Sequence, residues 1–167
     1  MKNWHFGVNI LALVAVALMA AAMCLPWWSF ALVGSPQTDI YPYLIDGPGS
    51  EFIGYKRSPQ MTLLTGVMIA SMLLTLVGAF LRGKISRITL AFAGLLVLLG
   101  SWRLLVRVAG VAARFEIPLQ GQGVAIYEGF AHIEVWTKLQ TGTYLIVAGG
   151  ILAILAGILH SRVRIGE

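Results

Sequence analysis

Four long runs of apolar residues alternate with three more polar segments along the chain. The runs cover residues 6–26, 61–82, 88–111 and 142–160. A helix needs about 20 apolar residues to cross the hydrocarbon core of a bilayer, and each run comes close to that length. The pattern therefore predicts an all-α membrane protein in which four transmembrane helices form one bundle, as a single membrane domain over residues 1–167.

Two of the polar segments, residues 27–60 and 112–141, are long and contain β-forming residues. Glycines and prolines divide the first segment into short pieces, and residues 40–41, 43–45 and 52–55 have the composition of strands. In the second segment, residues 120–123 predict a turn, and residues 124–139 predict either a hairpin or a strand followed by the entry to a helix. Neither segment buries much alone, so we expect their strands to pair in one small sheet, a β-containing extracytoplasmic cap.

The composition favours a membrane protein and argues against nucleic acid as a partner. Hydrophobic residues make up 58% of the chain and charged residues 11%. Soluble domains carry about 25% charged residues. The formal net charge is +5, but the basic residues flank the apolar runs and form no run dense enough to bind nucleic acid. The single cysteine, Cys24, excludes an intrachain disulfide.

The positions of the basic residues predict an orientation in the membrane. Those at the two termini and in the short turn between the second and third runs would share one side with a single acid, Glu167. They are Lys2, Arg82, Lys84, Arg87, Arg162 and Arg164. Short segments rich in lysine and arginine stay in the cytoplasm. We therefore expect an integral protein of the cell membrane, with both termini in the cytoplasm and both long loops outside.

Two arginines lie inside the third run, toward its outer end. Arg103 and Arg107 are four residues apart and share one face of a helix, and Trp102 marks the same depth. A cation is costly in hydrocarbon, which leaves three interpretations. The side chains extend to the interface, pair with a loop carboxylate, or form a functional anion site or charge relay. The candidate carboxylates are Asp39, Asp46, Glu51 and Glu116.

Trp27 and Trp28 follow Pro26 directly at the outer end of the first run. Proline ends a helix, and tryptophan is enriched where a membrane meets water. Together with Trp102, the two residues are therefore predicted as interface anchors. In an alternative interpretation, one of the two adjacent rings points inward and docks the outer loop onto the bundle, because neighbouring side chains face different directions.

A stripe of small residues marks the fourth run. Gly149, Ala153 and Gly157 recur every four residues and therefore line one face of a helix. Small residues allow two helix backbones to approach closely in a membrane. The stripe predicts helix packing, and it favours packing within one chain over a seam between two copies.

This layout resembles that of the claudin-like tetraspan membrane proteins. The likeness rests on four helices with cytoplasmic termini, on Trp27 and Trp28 just after the first helix, and on Arg57 before the second. It covers the whole chain as a layout and implies an outer sheet drawn from both loops. The Gly-Leu-Trp stretch and the two loop cysteines of that family are absent here, so the resemblance implies a fold and not a barrier function.

The sequence contains no motif that points to chemistry. It has no phosphate-binding glycine loop, nucleophile elbow, metal-binding His/Glu helix or haem-type cysteine pair, so we expect no catalytic residue, cofactor or metal. The leading hypothesis is a non-enzymatic membrane protein that acts through structural or protein–protein contacts of its outer cap, with its own copies or another membrane protein. The alternatives are an accessory subunit of a larger respiratory or transport complex, and a small oligomeric anion channel that uses Arg103 and Arg107.

Overall fold

Helices account for most of the chain, and short strands lie in the connections between them. The computed structural model describes residues 8–54, 56–127, 131–159 and 164–165. The helices are α1 (Ile10–Cys24), α2 (Gly49–Ile53), α3 (Pro59–Phe80), α4 (Gly83–Arg114) and α5 (Thr141–Ile158). The strands are β1 (Val8–Asn9), β2 (Trp28–Leu32), β3 (Thr38–Ile40), β4 (Ile45–Asp46), β5 (Gly121–Tyr127), β6 (Ala131–Leu139) and β7 (Arg164–Ile165).

Three of the described helices, α3, α4 and α5, are long and apolar enough to cross a membrane. Fewer than half of the residues in their most apolar stretches are buried inside the protein. Large apolar side chains such as Leu73, Phe92 and Ile151 are exposed instead. Water makes such a surface unfavourable, whereas lipid tails cover it, so these helices indicate an integral membrane protein.

Helix α1 departs from the predicted set of four spans. It covers 15 residues, which is shorter than the about 20 residues that a span requires. Val8 and Asn9, inside the predicted run 6–26, form strand β1 and pair with Ile165 and Arg164 of β7. The first two residues of that run lie outside the described residues. The described chain thus contains three helices of spanning length and one shorter apolar helix.

Helix α4 is longer at both ends than the predicted span 88–111. Its 32 residues extend for about 48 Å, which exceeds the about 30 Å of a hydrocarbon core. The prediction ended the helix where the apolar run ends, but lysine and arginine are good helix formers and continue it. The connection from α3 is therefore only Leu81 and Arg82.

Both long loops contribute strands to one antiparallel sheet, which confirms that part of the prediction. The strand order is β4-β3-β2-β6-β5, and β5 and β6 form a hairpin. Strand β2 joins the two loops by pairing with β6, with Trp28 opposite Leu139. Trp28, Ile40 and Ile45 are buried, while Asp46 and Lys138 are exposed. Alternation along the strands thus gives the sheet one buried face and one face that is exposed at Asp46, Glu134, Trp136 and Lys138 but buried at Ser29.

The predicted strand at residues 52–55 is wrong. Helix α2 covers Gly49–Ile53, and Gly54 ends it in a left-handed conformation with φ 82°. Residue 55 lies outside the described residues. Proline at a helix start and glycine just after its end are boundary signals, and Pro48 and Gly54 occupy those two places. The aromatic residues of the segment favour a strand, so these two helix signals were outweighed in the prediction.

The predicted turn at residues 120–123 is also wrong, because β5 begins at Gly121. Gly123 lies inside the strand and is needed there for close packing, not for a turn. A Cβ atom on Gly123 would lie 2.4 Å from Cδ of Pro118, so the strand passes closer to this proline than another residue allows. Glycine inside a strand often marks such a close approach.

The contacts divide the chain into two units. The helical unit comprises Met1–Ala21, Gly66–Gly100 and Leu145–Glu167. The sheet unit comprises Ala22–Thr65 and Ser101–Tyr144. The β1–β7 pair belongs to the helical unit, and all strands of the larger sheet belong to the sheet unit.

A buried asparagine joins the ends of two helices in the helical unit. Oδ1 of Asn9 accepts a hydrogen bond from the Ala12 backbone N–H at 3.2 Å and so caps the start of α1. Nδ2 of Asn9 donates to the Ala156 carbonyl oxygen at 3.0 Å. That carbonyl lies in the last turn of α5, where carbonyls lack partners within the helix. One side chain therefore satisfies backbone groups of both helices.

Candidate functional site

Trp27 connects three elements of the sheet unit at the point where α1 ends. Its indole Nε1 donates to the Ala22 carbonyl oxygen at 2.8 Å. Its backbone N–H donates to the carbonyl oxygen of Ile40 in β3, also at 2.8 Å. Its own carbonyl oxygen accepts from the Gln140 N–H at 3.0 Å and from the Thr143 hydroxyl at 2.6 Å. Trp27 therefore fixes the end of α1 relative to the sheet and to the start of α5.

The close approach of α5 to Trp27 requires the glycine at position 142. A Cβ atom there would lie 2.5 Å from Cδ1 of Trp27 and 2.6 Å from the Pro26 carbonyl oxygen. The Gly142 N–H donates to that same carbonyl oxygen at 3.1 Å. Because the interior is close-packed, a larger residue fits here only if the backbone moves.

Trp28 forms part of the wall of a small pocket beneath the sheet. Its Nε1 donates to the Leu119 carbonyl oxygen at 2.8 Å. The pocket encloses about 40 Å³ and is lined by Trp28, Ile40, Ile45, Met61, Leu104, Arg107, Val108 and Val111. That volume holds a water molecule but falls far below the about 300–1,000 Å³ of a small-molecule site. The pocket is a gap in the packing and not a site for an organic ligand.

The burial of Trp27 and Trp28 corrects their prediction as interface anchors. Their exposed fractions are 1% and 2%, so neither ring reaches a surrounding lipid surface, as an anchor must. The alternative interpretation, an inward-pointing ring, applies to both of them. Burial is tolerated because each indole N–H donates to a backbone carbonyl oxygen. Trp102 of α4 is 67% exposed, and its role as an anchor stays a prediction.

The two arginines of α4 lie in different surroundings. Arg103 is exposed, whereas Arg107 is half-buried and lines the pocket beneath the sheet. Arg107 also interacts with other groups of the protein. A spacing of four residues rotates a helix by about 40°, which is enough to carry the second arginine under the sheet. The pair therefore does not form one shared site with equal access.

The predicted small-residue stripe is covered by helices of the same chain in the helical unit. A Cβ atom on Gly149 would lie 2.9 Å from Cγ of Met19 in α1. One on Gly157 would lie 2.9 Å from the Arg87 carbonyl oxygen in α4. Ala153, between them, is fully buried. The stripe thus packs α5 against α1 and α4 and is not open to a partner helix in this conformation.

A row of three charged residues and one buried serine, Ser29, crosses the sheet on the face opposite Trp28. Asp46 of β4 lies opposite Asp39 of β3, and Asp39 lies opposite Ser29 of β2. On its other side, Ser29 lies opposite Lys138 of β6. Neighbouring strands are about 4.8 Å apart, so the row is about 14 Å long, with two carboxylates at one end and an ammonium group at the other.

An exposed tryptophan lies beside this row. Trp136 of β6 is 54% exposed and pairs with Ala31 of β2 and Gln122 of β5. Val124, two residues further along β5, lies on the same face and is also exposed. We call this surface the exposed sheet face, formed by Ala31, Asp39, Asp46, Val124, Glu134, Trp136 and Lys138.

Tyr41 lies between β3 and β4, close to the acidic end of the row. Burial raises the pKa of its phenol above the usual 10.0, and the nearby charges of Asp39, Tyr43 and Asp46 raise it further. The Tyr43 ring is 5.6 Å away between centroids. The phenol therefore stays neutral at ordinary pH and keeps its hydroxyl proton as a donor.

Neither a metal-binding geometry nor a similarity assigns a chemistry to the chain. Within the described residues, no group of three or more His, Cys, Asp or Glu side chains lies close enough to hold a metal ion. Comparison with protein-family models and with curated proteins finds no match to this chain. The geometry of the sheet unit is therefore the feature that points to a function.

Sequence reasoning missed the exposed sheet face, although the sequence contains a signal for it. It treated Trp136 only as a β-forming residue. Glu134, Trp136 and Lys138 alternate along β6, and a strand places every second residue on the same face. A tryptophan between a glutamate and a lysine at this spacing indicates an aromatic ring on a solvent-facing surface. The pairing with Ala31, which completes the surface, required the structure.

Proposed function

We propose that this chain is a non-enzymatic membrane protein that associates with a second copy of itself through the exposed sheet face. The observation that carries the proposal is the 54% exposure of Trp136, on the opposite side of the sheet from the buried ring of Trp28. Tryptophan is enriched among the residues that contribute most to protein–protein binding. An apolar ring with Glu134 and Lys138 on either side of it along the strand has the arrangement of an interface centre with its polar rim.

The charge order on the exposed sheet face supports a second copy as the partner. Asp39 and Asp46 lie at one end of the row and Lys138 at the other. A two-fold axis through the middle of the row would place the acidic end of each copy over the lysine of its partner. Two-fold dimers use the same patch on both subunits, so that patch must be complementary to itself. This row meets the requirement.

We further propose a claudin-like tetraspan arrangement, with α1 as a fourth span and both termini in the cytoplasm. All 15 residues of α1 are uncharged, and a short helix spans where the bilayer thins locally. Arg82, Lys84 and Arg87 are exposed around the α3–α4 connection, and such clusters stay in the cytoplasm. The sheet would then lie outside the cell.

The self-association is tested by the mass of the native particle in mild detergent. We expect the unmodified chain to form a dimer and Trp136→Ala to shift it toward the monomer by about tenfold or more in dissociation constant. Trp102→Ala is the matched control, because it removes an equally large exposed ring from the same unit. We expect that variant to dimerise normally.

Three outcomes would contradict this proposal. They are an unchanged dimer in Trp136→Ala, an equal loss in Trp102→Ala, or a monomeric unmodified chain. A large particle with other subunits would instead favour the accessory-subunit alternative. The anion-channel alternative predicts liposome conductance that disappears when Arg103 and Arg107 are both replaced by glutamine.

The orientation is tested with cysteines in intact cells, after Cys24 is replaced by serine. Ser35→Cys lies in an exposed turn after β2, and Lys84→Cys lies in the α3–α4 region. An impermeant maleimide should label the first variant from outside and the second only after the cells are opened. The reverse pattern would overturn the proposed orientation, and labelling of both from outside would contradict the tetraspan arrangement.

A further inference from the structure

Three arginines of α4 lie along one face of the helix. Arg103, Arg107 and Arg114 are separated by four and seven residues. At about 100° per residue, all three fall within a sector of about 40°. Arg103 and Arg114 are exposed, and Arg107 is half-buried. The two exposed arginines are about 16 Å apart along the helix axis.

The helix that carries the two exposed arginines offers them no acidic neighbour of its own. Helix α4 itself contains no aspartate or glutamate. Gly110, between Arg103 and Arg114 on the same face, is exposed, and a Cβ atom there would meet nothing within 4 Å. The surface is therefore open at Arg103, Gly110 and Arg114, although Arg107 between them is half-buried.

The exposed neighbours of Arg103 are apolar. Trp102 is 67% exposed and Val106 is 44% exposed, and both flank the arginine on the helix surface. This helix is long and apolar enough to cross a membrane. A surface with a ring and a branched side chain next to a cation matches the boundary between acyl chains and headgroups, where tryptophan and arginine accumulate. Exposed apolar side chains are unfavourable in water, and exposed arginines are unfavourable in hydrocarbon, so neither surrounding alone suits this surface.

We propose that this face of α4 binds an anionic phospholipid, with the lipid phosphate on the Arg103 guanidinium and the acyl chains along Trp102 and Val106. Arg114 lies about 16 Å further along the helix axis and adds positive potential on the aqueous side of the bound phosphate. Guanidinium matches phosphate in planar, paired hydrogen bonds, and its charge is neutralised there without burial. The inference rests on the membrane-spanning character of α4 and not on the proposed protein contact of the sheet.

The test is lipid binding to the full chain, delipidated in detergent and measured by native mass spectrometry. The probe is dioleoyl phosphatidylglycerol, with dioleoyl phosphatidylcholine as the neutral comparison. We expect preference for the anionic lipid, a loss of roughly fivefold in Arg103→Gln, and a loss of roughly 30-fold in Arg103→Gln/Arg114→Gln, from typical strengths of arginine near an anionic surface. Arg103→Lys should retain part of the preference.

The matched control is Arg82→Gln/Lys84→Gln, which removes two exposed basic groups at the other end of α4. We expect it to bind phosphatidylglycerol as the unmodified chain does. Equal losses of phosphatidylglycerol binding in the control and in the arginine variants would show that only net charge matters, and would overturn the site. Unchanged binding in Arg103→Gln/Arg114→Gln would also overturn it. Displacement of the lipid by millimolar inorganic phosphate would assign the site to free phosphate and contradict the lipid proposal.

Discussion

The helical unit and the sheet unit are each stabilised internally, and they use side chains in opposite ways. In the helical unit, backbones approach where side chains are missing. A Cβ atom on Gly94 would lie 2.6 Å from the Gly150 carbonyl oxygen. In the sheet unit, the connections run through large or polar side chains. The ring of Trp27 donates a hydrogen bond to α1, and its backbone carbonyl oxygen accepts one from the Thr143 hydroxyl. The first unit is sensitive to added atoms, whereas the second is sensitive to removed side chains and, at Gly123 and Gly142, to added atoms as well.

This difference follows from the surroundings that each kind of contact suits. Between apolar helices in lipid, burial of apolar surface gives little net driving force, so close van der Waals packing at small residues stabilises the contact. A sheet built from two loops must satisfy many backbone groups where regular pairing ends. Indole and hydroxyl groups do so at Ala22, Leu119 and Trp27.

The largest expected effect is the loss of Trp27 from the sheet unit. Trp27→Ala removes a fully buried ring and the donor to the Ala22 carbonyl oxygen. We expect a decrease of about 3–5 kcal/mol in the free energy of unfolding. The measurement is circular dichroism during titration with sodium dodecyl sulfate. Trp102→Ala, which removes an exposed ring, should change the value by about 0.5 kcal/mol or less. Similar losses of stability in both variants would contradict a special role for the buried ring of Trp27 in the sheet unit.

The second prediction adds an atom to the helical unit. Gly94→Ala places a methyl group against the Gly150 carbonyl oxygen and Ile154, so α4 and α5 must separate. We expect destabilisation of about 1–3 kcal/mol in the same titration. Gly66→Ala is the matched control, because nothing lies within 4 Å of its Cβ position. It should be neutral or stabilising by up to about 1 kcal/mol. A stabilising Gly94→Ala would refute the close approach.

The third prediction concerns the polar side chain that departs from the pattern of the helical unit. Asn9→Ala removes both the cap of α1 and the bond to the Ala156 carbonyl oxygen, and we expect a loss of about 1–2 kcal/mol. Asn9→Ser separates the two contributions, because serine still caps a helix but is too short to reach α5. An Asn9→Ser variant as stable as the unmodified chain would show that only the cap matters.

The sequence predicts the apolar helices well because their signal is local. Length and hydropathy suffice to find α3, α4 and α5, although the ends of α4 extend into basic residues that also favour helix. It also predicts that the two loops share one sheet. It does not give the partners of Trp27 and Trp28, because the carbonyl oxygens that accept their N–H groups, Ala22 and Leu119, are specified by the fold.

The candidate surface divides in the same way. Glu134, Trp136 and Lys138 alternate within one strand, so their shared face can be predicted from the sequence of β6 alone. The opposition of Asp39 and Asp46 depends on the register of two strands that are 3 and 2 residues long. Strands this short have too few residues for a hydrophobic pattern to fix their register. The helical position of Arg103 was predictable, whereas the half-burial of Arg107 under the sheet was not.

The smallest expected effect is a pH dependence that belongs to the sheet unit. Burial and the charges of Asp39, Tyr43 and Asp46 raise the pKa of Tyr41, so the folded state favours the neutral phenol. Its contribution to stability is complete below the usual pKa of 10.0 and is lost as the pH rises through the raised value in the folded state. Tyr41→Phe should therefore flatten the fall in stability above that pH. Asp39→Asn removes the largest charge contribution to the raised pKa of Tyr41. It should therefore lower the midpoint of the phenolate absorbance change toward the usual value. An unchanged midpoint would show that Asp39 does not affect the pKa of this tyrosine.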